Sequence, residues 1–290
     1  MDELQRLYKQ DYPAFIEPYL ASKSMQRLKG VDMNCGLQFT SNTGFSSYGP
    51  YSRYEHSVGV ACIIWRFTHD KKQTLAGLFH DISTRVFSHV IDFVKKDYLV
   101  QESTEDETRQ IILQDSVIMN QLLCDGISVD EVSDYHLYPI ADNDSPRLSS
   151  DRLEYTLGNL LNYRKHTIKE IEKYFNDLVV GISEYGGKEI MFQHPEIAEE
   201  FAFGALSCGI IYSCDFDRYG MEKLACILRK AFEETILTES DLYLTEIEVI
   251  KKLSESCLHD AWNEYTRLQD VTKDFAGDLM VDAKKRYIDP

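Results

Sequence analysis

The dipeptide His-Asp occurs three times in this 290-residue chain, at His69-Asp70, His80-Asp81 and His259-Asp260. Chance yields such a pair easily, so context decides which could do chemistry. His69-Asp70 runs into Lys71-Lys72-Gln73, which suits a solvated turn, and His259-Asp260 lies between Glu255 and Glu264 in a mixed, surface-type helix. His80-Asp81 instead sits in an apolar stripe of Leu75, Leu78, Phe79, Ile82 and Val86. An imidazole and a carboxylate buried there are costly unless they pair or bind a cation. His56 and Asp151 supply further ligands, each in the first turn or so of an expected helix. Ser52-Arg-Tyr-Glu55 reads as a capping box ahead of Val58, Ala61, Ile64 and Phe67, and Ser149 or Ser150 can cap the helix that carries Asp151. Backbone donors and the dipole at such helix starts favour negative charge. His56, His80, Asp81 and Asp151 together make a nitrogen and oxygen donor set without thiolate. It suits one divalent transition metal, Mn, Fe, Co, Ni or Zn, with Mg a weaker partner for imidazole. A six-coordinate ion would keep positions for water and a phosphate oxygen, lowering the pKa of the one and polarising the other.

The elements that must hold these residues read as helices. Leu153, Leu157, Leu160 and Leu161 recur at helical spacing, as do Leu224, Ile227, Leu228 and Phe232, and then Ile247, Ile250 and Leu253. Strand-like material is scarce: Gly36-Leu-Gln-Phe-Thr40 and Glu189-Ile-Met-Phe-Gln193 are expected to form at most a small β-ribbon. Pro195 suits the first turn of another helix. The uncharged run 201–214 is shorter than the roughly 20 residues of a membrane helix and reads as a buried helix. The expectation is an all-α fold: a metal-binding helical core over 1–165 and a C-terminal helical extension over 166–290 packed on the same body.

Lys and Arg total 31 against 48 Asp and Glu, a formal charge of −17. Such an excess argues against passive nucleic-acid binding, which draws its affinity from neutralising phosphates, but leaves room for a small phosphorylated ligand held by local cations. Seven scattered cysteines without a C-x-x-C pair fit a reducing cytosol and speak against a disulfide framework or thiolate zinc. The charged start, without an apolar signal core, leads to the expectation of a cytoplasmic protein without a membrane segment.

The chain resembles the HD-domain metal-dependent phosphohydrolase superfamily, in particular the branch of deoxynucleotide triphosphohydrolases. The likeness rests on Gln26-Arg-Leu28, Ser52-Arg-Tyr-Glu-His-Ser-Val-Gly-Val60, Ala76-Gly-Leu-Phe-His-Asp-Ile82, Phe87-Ser-His89 and Asp151-Arg-Leu-Glu-Tyr155, in the family's order over about the first 160 residues. It implies an HD-type helical bundle in which His56, His80, Asp81 and Asp151 bind one metal. It also implies that Arg53, Arg152 and Tyr155, with Gln26 of the first motif, face substrate phosphate or sugar. Arginine suits this because its planar fork grips phosphate oxygens. Leu242-Tyr-Leu-Thr-Glu-Ile-Glu-Val-Ile250 is similar to the helical extension of bacterial members, and relatives of this branch often assemble, so a homo-oligomer is in keeping with it.

The departures matter as much. Thr84 stands three residues after Asp81, and Thr104 stands before Glu105-Asp106, at positions where such family members carry histidines. Threonine neither shuttles protons near neutral pH nor competes as a ligand, which argues against a two-metal centre and against ordinary triphosphohydrolase chemistry. His89 then becomes, with Asp81, the catalytic candidate, and Arg85 offers a compensating positive charge toward phosphate. The expected function is hydrolysis of a nucleotide or related phosphate ester by a metal-activated water. The competing expectation is a nucleotide-sensing or scaffold protein that keeps the fold and metal without turnover. The acidic stretch 102–107 reads as a solvated face, Asp142-Asn-Asp-Ser-Pro146 as a turn, and His136, His166 and His194 show no partner pattern.

Overall fold

The computed structural model describes residues 2–46, 49–95, 107–184, 186–272, 288 and 290. The described chain is mainly helical, with one two-stranded ribbon. At its centre the helix Arg53–Thr68 packs against Lys71–Phe79 and against Ser150–Asn162, which in turn touches Pro195–Tyr212. Asp215–Glu233 lies on the short helix Val90–Val94. The capping box holds: Glu55 N–H donates to Ser52 Oγ and Ser52 N–H donates to Glu55 Oε2. Ser149, not Ser150, caps the second site helix, accepting from Arg152 N–H at 3.3 Å.

Two apolar clusters carry the fold, and each joins early and late chain. One packs Leu28, Val58, Leu78 and Ile82 with Leu153, Leu157, Phe175 and Phe201. The other packs Val86, Phe87 and Phe93 with Leu224, Leu228, Leu253 and Trp262. Burial of these side chains is the main stabilising term, on the order of 1.5–3 kcal/mol each.

Four details differ from the sequence expectation. The ribbon pairs β1 (Leu178–Ile182) with β2 (Lys188–Phe192) in antiparallel register, Val180 opposite Ile190. Residues 36–40 form instead a 3-10 turn over Leu37–Phe39 after Gly36 in the left-handed region, so their alternation reports a tight turn in which Leu37 is buried. The stripe through Val86 is not one helix. The helix ends at Phe79, and the next turns are stabilised by tertiary partners: Arg27 Nη2 donates to the carbonyls of Ile82 and Thr84, and Val86 N–H donates to Leu242 O. All five stripe residues are nonetheless buried.

The uncharged run around 201 is half right. Phe201, Gly204 and Cys208 are buried, but Phe203, Leu206 and Ile210 on the opposite side of Pro195–Tyr212 are exposed. Ile247, counted in the last stripe, is also exposed, with Val249 and Leu253 forming the buried face. No single helix among the described residues is long and apolar enough to cross a membrane.

Candidate metal centre

His56 lies in the first turn of Arg53–Thr68, His80 caps the end of Lys71–Phe79, and Asp151 lies in the first turn of Ser150–Asn162. Packing brings the three together so that one ligand atom from each lies within 4.8 Å of the others. His56 Nε2 stands 3.1 Å from His80 Nε2 and 3.1 Å from Asp151 Oδ1, and His80 Nε2 stands 3.7 Å from Asp151 Oδ1. Asp81 Oδ2 approaches the same two imidazole nitrogens at 3.7 and 3.6 Å. Donors about 2.0–2.2 Å from a common ion, at angles between octahedral and tetrahedral, stand roughly 2.8–3.6 Å apart, which these spacings approach.

The outward sides of both rings are fixed. His80 Nδ1 lies 2.7 Å from Gly77 O, and a carbonyl only accepts, so Nδ1 carries the hydrogen and Nε2 the lone pair. His56 Nδ1 lies 2.5 Å from Glu154 Oε2, and the same oxygen accepts from Tyr51 Oη. Glu154 and Tyr51 are completely buried. Each imidazole is therefore oriented by an acceptor behind it, and the two Nε2 atoms face each other. Two neutral rings so placed would oppose their lone pairs, and a cation between them removes that conflict. Without a metal a proton must do so: burial alone would lower the His56 pKa, but Glu154 and then Asp151 outweigh it and hold it at about 10. Burial would likewise raise the carboxyls. Arg53 instead holds Asp81 well below the usual carboxylate range, and the His56 hydrogen bond holds Asp151 at about 2.

Glycines make room for this arrangement. A Cβ on Gly59 would lie 2.6 Å from Glu154 Oε1, and one on Gly158 would lie 2.3 Å from Tyr51 Oη. Both sit inside helices, where glycine is otherwise unfavourable by about 1 kcal/mol. They are the sequence signal for Glu154 and Tyr51, which the reading of motifs passed over.

The remaining candidates are placed as follows. Arg53, buried, donates from Nη1 to Asp81 Oδ2 at 2.8 Å and from Nε to Ser88 Oγ at 3.2 Å. Thr84 Oγ1 donates to Asp81 Oδ1 at 2.7 Å, so Asp81 is gripped from two sides. His89 pairs through Nδ1 with Asp92 Oδ2 at 3.0 Å. Arg152 braces the preceding loop, through Nη1 to Asp142 at 3.0 Å, Nε to Arg147 O at 2.7 Å and Nη2 to Asn143. Tyr155 is half-buried one turn beyond Asp151. Arg85 pairs with Glu107. Gln26 is exposed and bonds Leu20 O and Lys29.

Thr104 and its neighbours Glu105 and Asp106 lie outside the described residues. Glu107, at the end of the acidic stretch, is more than a solvated charge, since it holds both Arg85 and Tyr243. His136 and His194 also have carboxylate partners: Asp134, only two residues away, and Asp177, which lies 17 residues away and so beyond local sequence.

No family model matches the chain. It is 28% identical to an uncharacterized protein of Bacillus subtilis, YdhJ, over 282 residues, covering 95% of this chain and 83% of that one. It is 29% identical over 171 residues to a Cordyceps militaris protein named as a metal-dependent phosphohydrolase, covering 57% of this chain. The match spans 46% of that fungal protein's own length. Among solved structures, a hypothetical protein from Aquifex aeolicus superposes with a TM-score of 0.58 at 19% identity, over 85% of this chain and 69% of the other. That likeness shows the fold alone.

Proposed function

We propose that this protein is a metal-dependent phosphohydrolase of the HD-domain type, acting on a nucleotide or related small phosphate ester. The observation that carries the reading is the pair of imidazole Nε2 atoms, 3.1 Å apart and each oriented from behind, with Asp151 beside them. The partial likeness to a protein named as a metal-dependent phosphohydrolase supports it. His56, His80 and Asp151 would hold the ion, with Asp81 completing the set. When bound there, a divalent metal supplies Lewis acidity to a phosphate oxygen and to water.

The chain's own groups do the rest. Glu154 and the Gly77 carbonyl keep both rings presenting Nε2. Arg53 neutralises Asp81 and offers its buried guanidinium to charge that develops on phosphate. His89, backed by Asp92, is assigned the proton for the leaving oxygen, and Tyr155 the sugar side of the ligand. Arg152 acts by fixing the loop ahead of Asp151.

One observation favours a second reading. Thr84 is committed to Asp81 and cannot transfer a proton, as expected of a protein that binds a nucleotide without turning it over. Purified protein and Asp81→Ala, each assayed for metal content and for phosphate release from mono-, di- and triphosphates, decide between them. The hydrolase reading requires stoichiometric metal and metal-dependent release in the parent, and loss of both in the variant. Tight binding without release would favour the sensor, and full activity in Asp81→Ala would remove the scheme.

A further inference from the structure

Arg27, Arg85 and Tyr243 meet beside the turn that carries His80 and Asp81, although they come from three distant parts of the chain. Arg27 closes the helix Lys23–Arg27 and Tyr243 closes the 3-10 segment Glu239–Tyr243. The guanidinium carbons of Arg27 and Arg85 lie 5.6 and 6.0 Å from the Tyr243 ring centroid, one ring serving both cations. Arg27 spends Nη2 on the carbonyls of Ile82 and Thr84, while its Nη1 is buried with no partner among the described residues. Leaving a charged donor in that state is costly, and an anion would relieve it.

A carboxylate already occupies part of the position. Arg85 Nη2 donates to Glu107 Oε1 at 3.2 Å, and Tyr243 Oη donates to Glu107 Oε2 at 2.5 Å. The Arg85 side chain is 7% exposed but that of Glu107 is 45% exposed, so the donor is built in and its anion sits at the surface. Among the described residues Glu107 bonds Arg85 and Tyr243, and Arg27 stands over the same tyrosine ring.

We propose that Arg27, Arg85 and Tyr243 form a binding site for a phosphate group, with Glu107 as its internal competitor. A phosphate group has one more oxygen than a carboxylate. It can replace Glu107 on Arg85 and Tyr243 and also take the Nη1 donor of Arg27. The site adjoins the metal-centre candidate through Thr84, whose carbonyl accepts from Arg27 and whose hydroxyl donates to Asp81. The phosphate can therefore be the far end of a ligand anchored at that centre or a free oligophosphate. The inference stands on the cradle's own geometry and does not require the hydrolase reading.

Calorimetric titration of the full chain with tripolyphosphate and with orthophosphate, in chelator-treated and Mn2+-loaded protein, tests it. Glu107→Gln should tighten tripolyphosphate binding by about ten-fold, because a charged competitor is gone, whereas Arg85→Gln and Tyr243→Phe should weaken it by about ten-fold. Binding that persists after chelation identifies a free anion, and binding that needs Mn2+ identifies the far end of an anchored ligand. If Arg85→Gln fails to fold, the milder Tyr243→Phe carries the test. Affinity unchanged within about two-fold in folded Glu107→Gln and Tyr243→Phe, or weakened by Glu107→Gln, overturns the site. Metal content of the same samples tests the metal centre separately, and its absence would leave the chelated titrations readable.

Discussion

Replacing Glu154 by Gln keeps the volume of a completely buried side chain and removes its charge, so it isolates the contribution of that charge to the imidazole in front of it. The carboxylate accepts from His56 Nδ1 at 2.5 Å, with the His56 side chain only 1% exposed, so no solvent stands ready to substitute. Carboxylates behind ligating histidines raise ligand basicity, and their loss typically costs 10–100-fold in metal affinity. At about 1.4 kcal/mol per decade that is roughly 1.4–2.7 kcal/mol. Removing only the second donor, in Tyr51→Phe, leaves the charge in place and should cost less, about 1 kcal/mol. Competition for Mn2+ or Zn2+ against a chromophoric chelator measures the affinity, with circular dichroism checking that each variant is folded. A folded Glu154→Gln protein that binds metal as tightly as the parent would refute the placing of His56 in the ligand set. Equal losses in the two variants would instead assign the effect to packing.

Two further perturbations follow from packing and burial. Gly59→Ala places a methyl 2.6 Å from Glu154 Oε1, and should destabilise the fold by about 1–3 kcal/mol in chemical unfolding and weaken metal binding with it; an Ala variant as stable as the parent would show that Glu154 is not confined there. Glu246 is buried, accepting from Asp32 N–H and Gln38, and burial followed by the Asp32 charge pushes its carboxyl well above the usual range. A raised folded-state pKa means its stabilising effect is complete below the unfolded value of about 4.3 and is lost as pH rises toward the folded one. Glu246→Gln should therefore gain stability relative to the parent between pH 5 and pH 8, by on the order of 1 kcal/mol, and a difference in Tm independent of pH would disprove this.

Local sequence was enough for whatever depends on neighbours along the chain. The Ser52–Glu55 capping box, a serine cap at 149 or 150, Pro195 in its first turn and the stripes through Leu153 and Leu224 are decided within four residues, because capping and helical periodicity are short-range. That His80-Asp81 is buried while the other two His-Asp pairs are not also followed from its apolar flanks alone. What partners a charge was beyond that reach. Arg152, expected to face substrate, braces a loop; Arg53 meets Asp81, 28 residues away; and Glu154 meets His56, 98 residues away. The choice of ribbon strands and the end of the helix at Phe79 were likewise settled by long-range partners, the Leu242 carbonyl and the Arg27 side chain among them. Hydrogen bonds and ion pairs are satisfied by whatever the folded chain brings within about 3 Å, and apolar patterning selects which faces meet without naming those partners.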